Sequence, residues 1–201
     1  TAALILASQS ASRKQLLEGA GLKFETLPAH IDEGSIRVRL ETRGERPEQI
    51  AIELAQAKAL NISAKISTQQ PQAYIIGADQ ILELDGEIFE KPGDLAGARL
   101  NLRSLRGRIH QLYSAICVAH GGEIVWSHVE AAHMSMRDFD DGFLEDYLSA
   151  SDPSIYDCVG GYRLEALGPN LFDHIEGDYF TVLGLPLLAL LAFMRKISLI
   201  N

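Results

Sequence analysis

The sequence predicts a mixed α/β fold, a β-sheet with flanking helices. Three observations point to it. Short continuous apolar runs, such as Ala3 to Ala7, suit strands buried on both faces. Capped stretches with helical spacing alternate with those runs. Two long strand-like runs, Ile109 to Met136, flank a single Gly121-Gly122 turn. At 201 residues, 47% hydrophobic and 22% charged, the composition is that of a globular chain able to bury its own core.

The first run leads into Ser8-Gln9-Ser10 and a helical pattern through Arg13, Lys14, Leu16, Leu17 and Ala20, stopped by Gly21. Serine before a helix is a natural N-cap, and glycine just past it a natural stop. A second strand is expected over Phe24 to Pro28. A polar loop holding Asp32 and Glu33 follows and runs to Pro47, which suits a first helical turn. Ile50, Leu54, Ala57 and Leu60 then mark an amphipathic helix that includes Lys58. The next strand is expected over Ala73 to Ala78, with Asp79 and Gln80 directly after it. Asp85-Gly86 is a hairpin signal that pairs Ile81-Leu82 with Ile88-Phe89. A helix starting at Asp94 covers Leu95 to Leu105. Beyond the two long strands come a short helix from Asp140 to Leu148, a Gly160-Gly161 loop, a strand near Phe172 to Ile175 and a last helix after Pro186. With no repeat and no low-complexity linker, residues 1–201 read as one domain, arranged as two lobes around a deep cleft.

A formal net charge of −9 argues against a nucleic-acid-coating protein but leaves room for a local cluster that binds an anion. The first apolar run is too short for a signal peptide. The longest run, Leu183 to Met194, contains Pro186 and falls short of the roughly 20 residues that span a bilayer. Cys117 and Cys158 show no CxxC spacing and read as reduced thiols. A cytoplasmic protein, away from membranes, is the expectation.

Polar residues gather where strands meet helices or loops, the usual place for a ligand in an open α/β sheet. Ser8, Ser10, Ser12, Arg13 and Lys14 surround a helix N-terminus, whose amides and partial positive charge suit a phosphate. Asp79, held by a strand, has the fixed placement a general base or metal ligand needs. Asp32 and Glu33 offer further carboxylates. Lys91 is restrained by Pro92, and Lys58 is another candidate cation. Taken singly, each is equally an ordinary cap, turn residue or solvated charge. The six histidines form no metal signature, and Walker A, GxGxxG, CxxC and GxSxG motifs are absent.

Together these segments resemble the Maf family. Leu4-Ile5-Leu6-Ala7-Ser8-Gln9-Ser10-Ala11-Ser12-Arg13-Lys14-Gln15-Leu16-Leu17 is similar to its opening signature. Asp32-Glu33, Leu54-Ala55 through Lys58-Ala59, Ile76-Gly77-Ala78-Asp79-Gln80 and Lys91-Pro92 match in order. Gly177-Asp178 and Leu183-Gly184-Leu185-Pro186-Leu187 look like its closing block. The resemblance implies the Maf and inosine-triphosphatase type of fold, with a deep groove and often a homodimer. It also implies hydrolysis of a nucleoside triphosphate to the monophosphate and pyrophosphate with a divalent cation, Mg²⁺ or Mn²⁺. Asp79 falls on the family's proton acceptor. Ser8, Ser10, Arg13, Lys58 and Lys91 fall at the phosphates, Glu33 on an acidic position suited to the metal, and Ser12, Gln80 and Glu165 on positions tied to base preference. Asp79-Gln80 and Glu165 are similar to the branch acting on 7-methylguanosine triphosphate, whereas Ser12 and Glu90 depart from the family pattern. The rival reading is a non-catalytic nucleotide-binding regulator of cell division that acts through a protein partner.

Overall fold

The computed structural model describes residues 2–201. One seven-stranded mixed sheet runs in the order β2-β1-β3-β5-β6-β7, with β4 paired to β3 off that path. The strands are β1 (Leu4–Leu6), β2 (Glu25–Thr26), β3 (Tyr74–Leu84), β4 (Glu87–Phe89), β5 (Ile109–His120), β6 (Glu123–Met136) and β7 (Phe172–Glu176). β1 pairs in parallel with both β2 and β3, whereas β3–β4 and β6–β7 are antiparallel. The longer helices are α1 (Ala11–Gly19), α2 (Glu33–Thr42), α3 (Pro47–Ile66), α4 (Leu95–Leu105), α5 (Asp141–Ala150) and, after the single turn α6 (Tyr179–Val182), α7 (Leu187–Lys196). Among the described residues no helix is long and apolar enough to cross a membrane.

The chain divides into two compact units. The first contains residues 2–80, 114–130 and 184–201, and the second residues 81–113 and 131–183.

In the first unit, Ile5, Leu6 and Ala7 are fully buried, as a continuous apolar run demands of a strand covered on both faces. α3 opens with Pro47 at its first position and buries Ile50, Ala51, Leu54, Ala55, Lys58, Ala59 and Ile62 along one stripe. Lys58 therefore lies on the core side of its helix. Gly77 on β3 explains how closely α3 approaches. A Cβ there would meet the Ala55 carbonyl oxygen at 2.1 Å, the Ala59 methyl at 2.9 Å and Cys117 Sγ at 3.0 Å. Burial pushes the Cys117 thiol up to about 12, and both Cys117 and Cys158 are free.

Two expectations are corrected here. Residues 33–42 form α2, not a loop. Asp32 caps it, accepting from the Ser35 amide at 3.0 Å and from Ser35 Oγ at 2.6 Å. The helix has almost no apolar stripe to announce it, since Leu40 is its one buried residue. Second, β3 does not end at Ala78 but continues through Asp79 and Gln80 to Leu84, where it pairs with β4 in the register Leu82↔Phe89. Asp79 thus sits mid-strand. What ends nearby is β1, whose pairing with β3 stops at Leu6↔Ile76 and an Ala7 amide to Ile76 carbonyl bond.

In the second unit, Leu82, Leu102, Leu105, Leu112, Met134 and Leu171 anchor one apolar core. α4 begins where its cap predicts, with Asp94 accepting from the Gly97 amide at 2.8 Å. His110 is fully buried in this core. Its Nε2 shares a 2.7 Å hydrogen bond with the Tyr162 hydroxyl, while Nδ1 has no hydrogen-bond partner among the described residues. Burial pushes His110 down to about 4 and the Tyr162 phenol well up, so Tyr162 stays neutral at any ordinary pH. A folded value below the unfolded one of about 6.5 means that the native state favours neutral imidazole. The resulting stability is present above pH 6.5 and lost as the pH falls from there towards 4. Its ceiling is on the order of 3 kcal/mol. Urea midpoints for the wild type are expected to drop over that interval more steeply than those of His110→Gln. Parallel curves would assign the acid sensitivity to other groups.

Candidate active site

The stretch of β3 between the end of its pairing with β1 and its hairpin with β4 is where the first unit collects its polar side chains. Four of them, Ser8, Arg13, Lys58 and Asp79, are buried, each at most 9% exposed. Burying such groups is tolerated only when they satisfy one another.

Lys58 and Asp79 do so directly. The ammonium donates to Asp79 Oδ1 at 2.6 Å and also reaches Glu33 Oε2 at 2.9 Å. One cation therefore bridges a buried carboxylate and a half-exposed one. The local sequence accounts for each placement. Lys58 comes from the core stripe of α3, which Gly77 allows close to β3. Asp79 lies two positions along the strand from that glycine, so both project from one face. Glu33 is the first residue of α2. Asp32 uses both oxygens on Ser35, and this bonding holds its carboxyl below the usual range, so Asp32 is a cap.

Arg13 is engaged with the main chain on two sides. Its Nε donates to the Gly184 carbonyl at 2.8 Å. One terminal nitrogen donates to the Ala78 carbonyl at 3.1 Å and to Ser8 Oγ at 3.3 Å. The Ala78 carbonyl lies past the end of β1, and Arg13 supplies the donor a neighbouring strand would have given. Arg13 thus binds together the β1–α1 turn, the backbone next to Asp79 and the segment leading to α7. Ser10 is the α1 N-cap, its hydroxyl accepting from the Arg13 amide at 3.4 Å while its own amide donates to Ser8 Oγ at 3.2 Å. Ser12 is half-buried in the first turn of α1.

Gln80 follows Asp79, and its Nε2 donates to Ser114 Oγ at 2.9 Å. Of the residues singled out from sequence, Ser8, Ser10, Arg13, Lys58, Glu33, Asp79 and Gln80 thus belong to one connected set. Lys91 and Glu165 belong to the second unit. There Lys91 is exposed after β4, and Glu165 accepts from Arg163 Nε at 3.0 Å and from a terminal nitrogen at 2.9 Å. Sequence reasoning missed Ser114 and the accepting carbonyls of Ala78 and Gly184. Ser114 did leave a signal, a serine at the head of the apolar run Ala115 to Ala119 of β5. A backbone acceptor leaves none.

Among the described residues no three His, Cys, Asp or Glu side chains converge as a closed metal cage. Asp79 and Glu33 instead both face one cation, the Lys58 ammonium.

Fold and site together define a mixed α/β protein with a buried acid on a central strand, a bridging ammonium and a helix N-terminus beyond the end of β1. The chain belongs to the Maf-like protein family, whose pattern matches residues 3–197. It is 46% identical over 196 residues to a 7-methyl-GTP pyrophosphatase of Brucella suis, covering 98% of this chain and 96% of that one. It is 44% identical over 201 residues to a protein of the same name from Mesorhizobium japonicum, covering 100% and 99%. A nucleoside triphosphate pyrophosphatase of Bradyrhizobium diazoefficiens is 47% identical over 197 residues, covering 98% and 95%.

Proposed function

We propose that this protein hydrolyses a nucleoside triphosphate between the α- and β-phosphates, releasing the monophosphate and pyrophosphate, with a purine of the 7-methyl-GTP type as substrate. The observation that supports this most is the buried Asp79 carboxylate bridged through Lys58 to Glu33. The names of the relatives support the reaction, and Gln80 and Glu165 support the base.

Asp79 is the proton acceptor for the attacking water. Lys58 holds Oδ1 and so fixes the carboxylate, while Oδ2 takes the proton as the water oxygen bonds to the α-phosphorus and the pyrophosphate oxygen departs. Phosphoryl chemistry of this kind depends on placement and on neutralising charge. Lys58 meets the negative phosphates, and the first-turn amides of α1 offer donors to an oxyanion. Arg13 keeps the backbone beside Asp79 in place. Glu33 is the residue that would hold Mg²⁺ or Mn²⁺, whose chemistry is to offset charge on the phosphate oxygens. For Ser8 and Ser10 the contact is with the turn that would meet the phosphates. For Lys91, Ser12 and Glu165 the phosphate and base roles rest on family resemblance. A non-catalytic nucleotide sensor would need the cations but not an acid fixed in this way.

The test is a panel of nucleoside triphosphates incubated with purified protein and Mg²⁺, with products separated by chromatography. Monophosphate and pyrophosphate in equal amounts, formed fastest from 7-methyl-GTP, are expected. Diphosphate and orthophosphate would refute the bond assignment, and saturable binding without any product would favour the sensor.

A further inference from the structure

A glutamine amide reads a ligand differently from its two ends, since the carbonyl accepts and the amino group donates. The ends exchange by rotation about the last torsion, which is soft. An amide therefore discriminates between two hydrogen-bonding edges only when something fixes its roll.

At Gln80 a hydrogen bond does so. Nε2 donates to Ser114 Oγ at 2.9 Å, and Ser114 is completely buried on β5 between Leu112 and the run Ala115, Ile116 and Cys117, all buried as well. A hydroxyl in such a run costs stability unless it is hydrogen-bonded, and packing alone would be served by alanine.

We infer that Ser114 is a specificity-positioning residue, which turns the Gln80 amide so that one chosen end meets the base. Ser114 acts through Gln80 and does not touch the nucleotide. The inference rests on the proposed reading of Gln80 as a base-facing residue.

The experiment compares kcat/KM for 7-methyl-GTP, GTP and UTP in the full chain and in Ser114→Ala, Gln80→Ala and the double variant. Ser114→Cys, which keeps the volume with a far weaker hydrogen-bonding group, serves should the alanine variant fold poorly. The expected result is that Ser114→Ala narrows the ratio between the best and worst nucleotide by about 3- to 10-fold, the worth of one hydrogen bond. It is also expected to change nothing further once Gln80 is alanine, a non-additivity that simple loss of packing would not produce. If Gln80→Ala shifts the ratio while Ser114→Ala and Ser114→Cys leave it at the wild-type value, the inference is overturned and the reading of Gln80 stands. If Gln80→Ala itself leaves the ratio unchanged, that reading falls and takes the inference with it.

Discussion

Asp79→Asn is expected to lower kcat by about 10²- to 10⁴-fold, the usual loss for a positioned general base, with nucleotide still bound. The amide is the same size as the carboxylate, and its oxygen can still accept from Lys58, so the 2.6 Å contact has a surviving counterpart. Glu33 remains at 2.9 Å to balance the ammonium. What disappears is the capacity to take a proton. Alanine would be a poorer probe. It would leave a buried lysine with the half-exposed Glu33 as its remaining counter-charge, a loss of up to about 3–5 kcal/mol that would confuse unfolding with lost chemistry. The check pairs single-turnover rates with a thermal-melt titration by nucleotide. A variant that hydrolyses at the wild-type rate would remove Asp79 from the mechanism. One that no longer binds would make it a binding residue.

Gly77→Ala is expected to be as damaging, although Gly77 touches no nucleotide. The added methyl would lie 2.1 Å from the Ala55 carbonyl oxygen, a backbone atom of a twenty-residue helix that cannot step aside alone. Either α3 moves away from β3 or the strand buckles, and overpacking of this kind costs about 1–3 kcal/mol or more. The functional loss follows from geometry. Lys58 is on the helix that moves and Asp79 on the strand that stays, so their contact lengthens. A misplacement of about 1 Å in a catalytic arrangement can cost about 100-fold. Urea denaturation together with steady-state kinetics measures both effects. Wild-type stability and rate in Gly77→Ala would show that the approach of α3 to β3 is looser than the structure has it.

Elements whose ends are set by local chemistry were readable in advance. The serine before α1, Asp94 before α4, Pro47 at the start of α3 and the double glycine between β5 and β6 each act within a few residues of themselves. α2 escaped notice because it is held by a cap and surface ion pairs, and it lacks the periodic stripe by which helices are recognised in sequence. β3 looked as though it ended at Asp79 because an acid and an amide in mid-strand contradict a buried run. The contradiction is resolved by Lys58, 21 positions earlier, and by Ser114, 34 positions later, and no local pattern reports such partners. The grouping of Asp79, Lys58 and Glu33 was legible through the order of the matching blocks. The contacts of Arg13 were not, since two of its acceptors are main-chain carbonyls.

The bond from Arg13 to the Gly184 carbonyl joins residues 171 positions apart in the sequence. Closing so large a loop is entropically expensive and slow, and contacts of that span accumulate late in folding. During synthesis the residues around Asp79 leave the ribosome long before residue 184 exists, so the brace beside the acid must wait for that segment. A nascent protein, or one shortened before residue 184, can hold the early strands and still lack a set active-site backbone, which ties the onset of any catalysis to the arrival of Gly184.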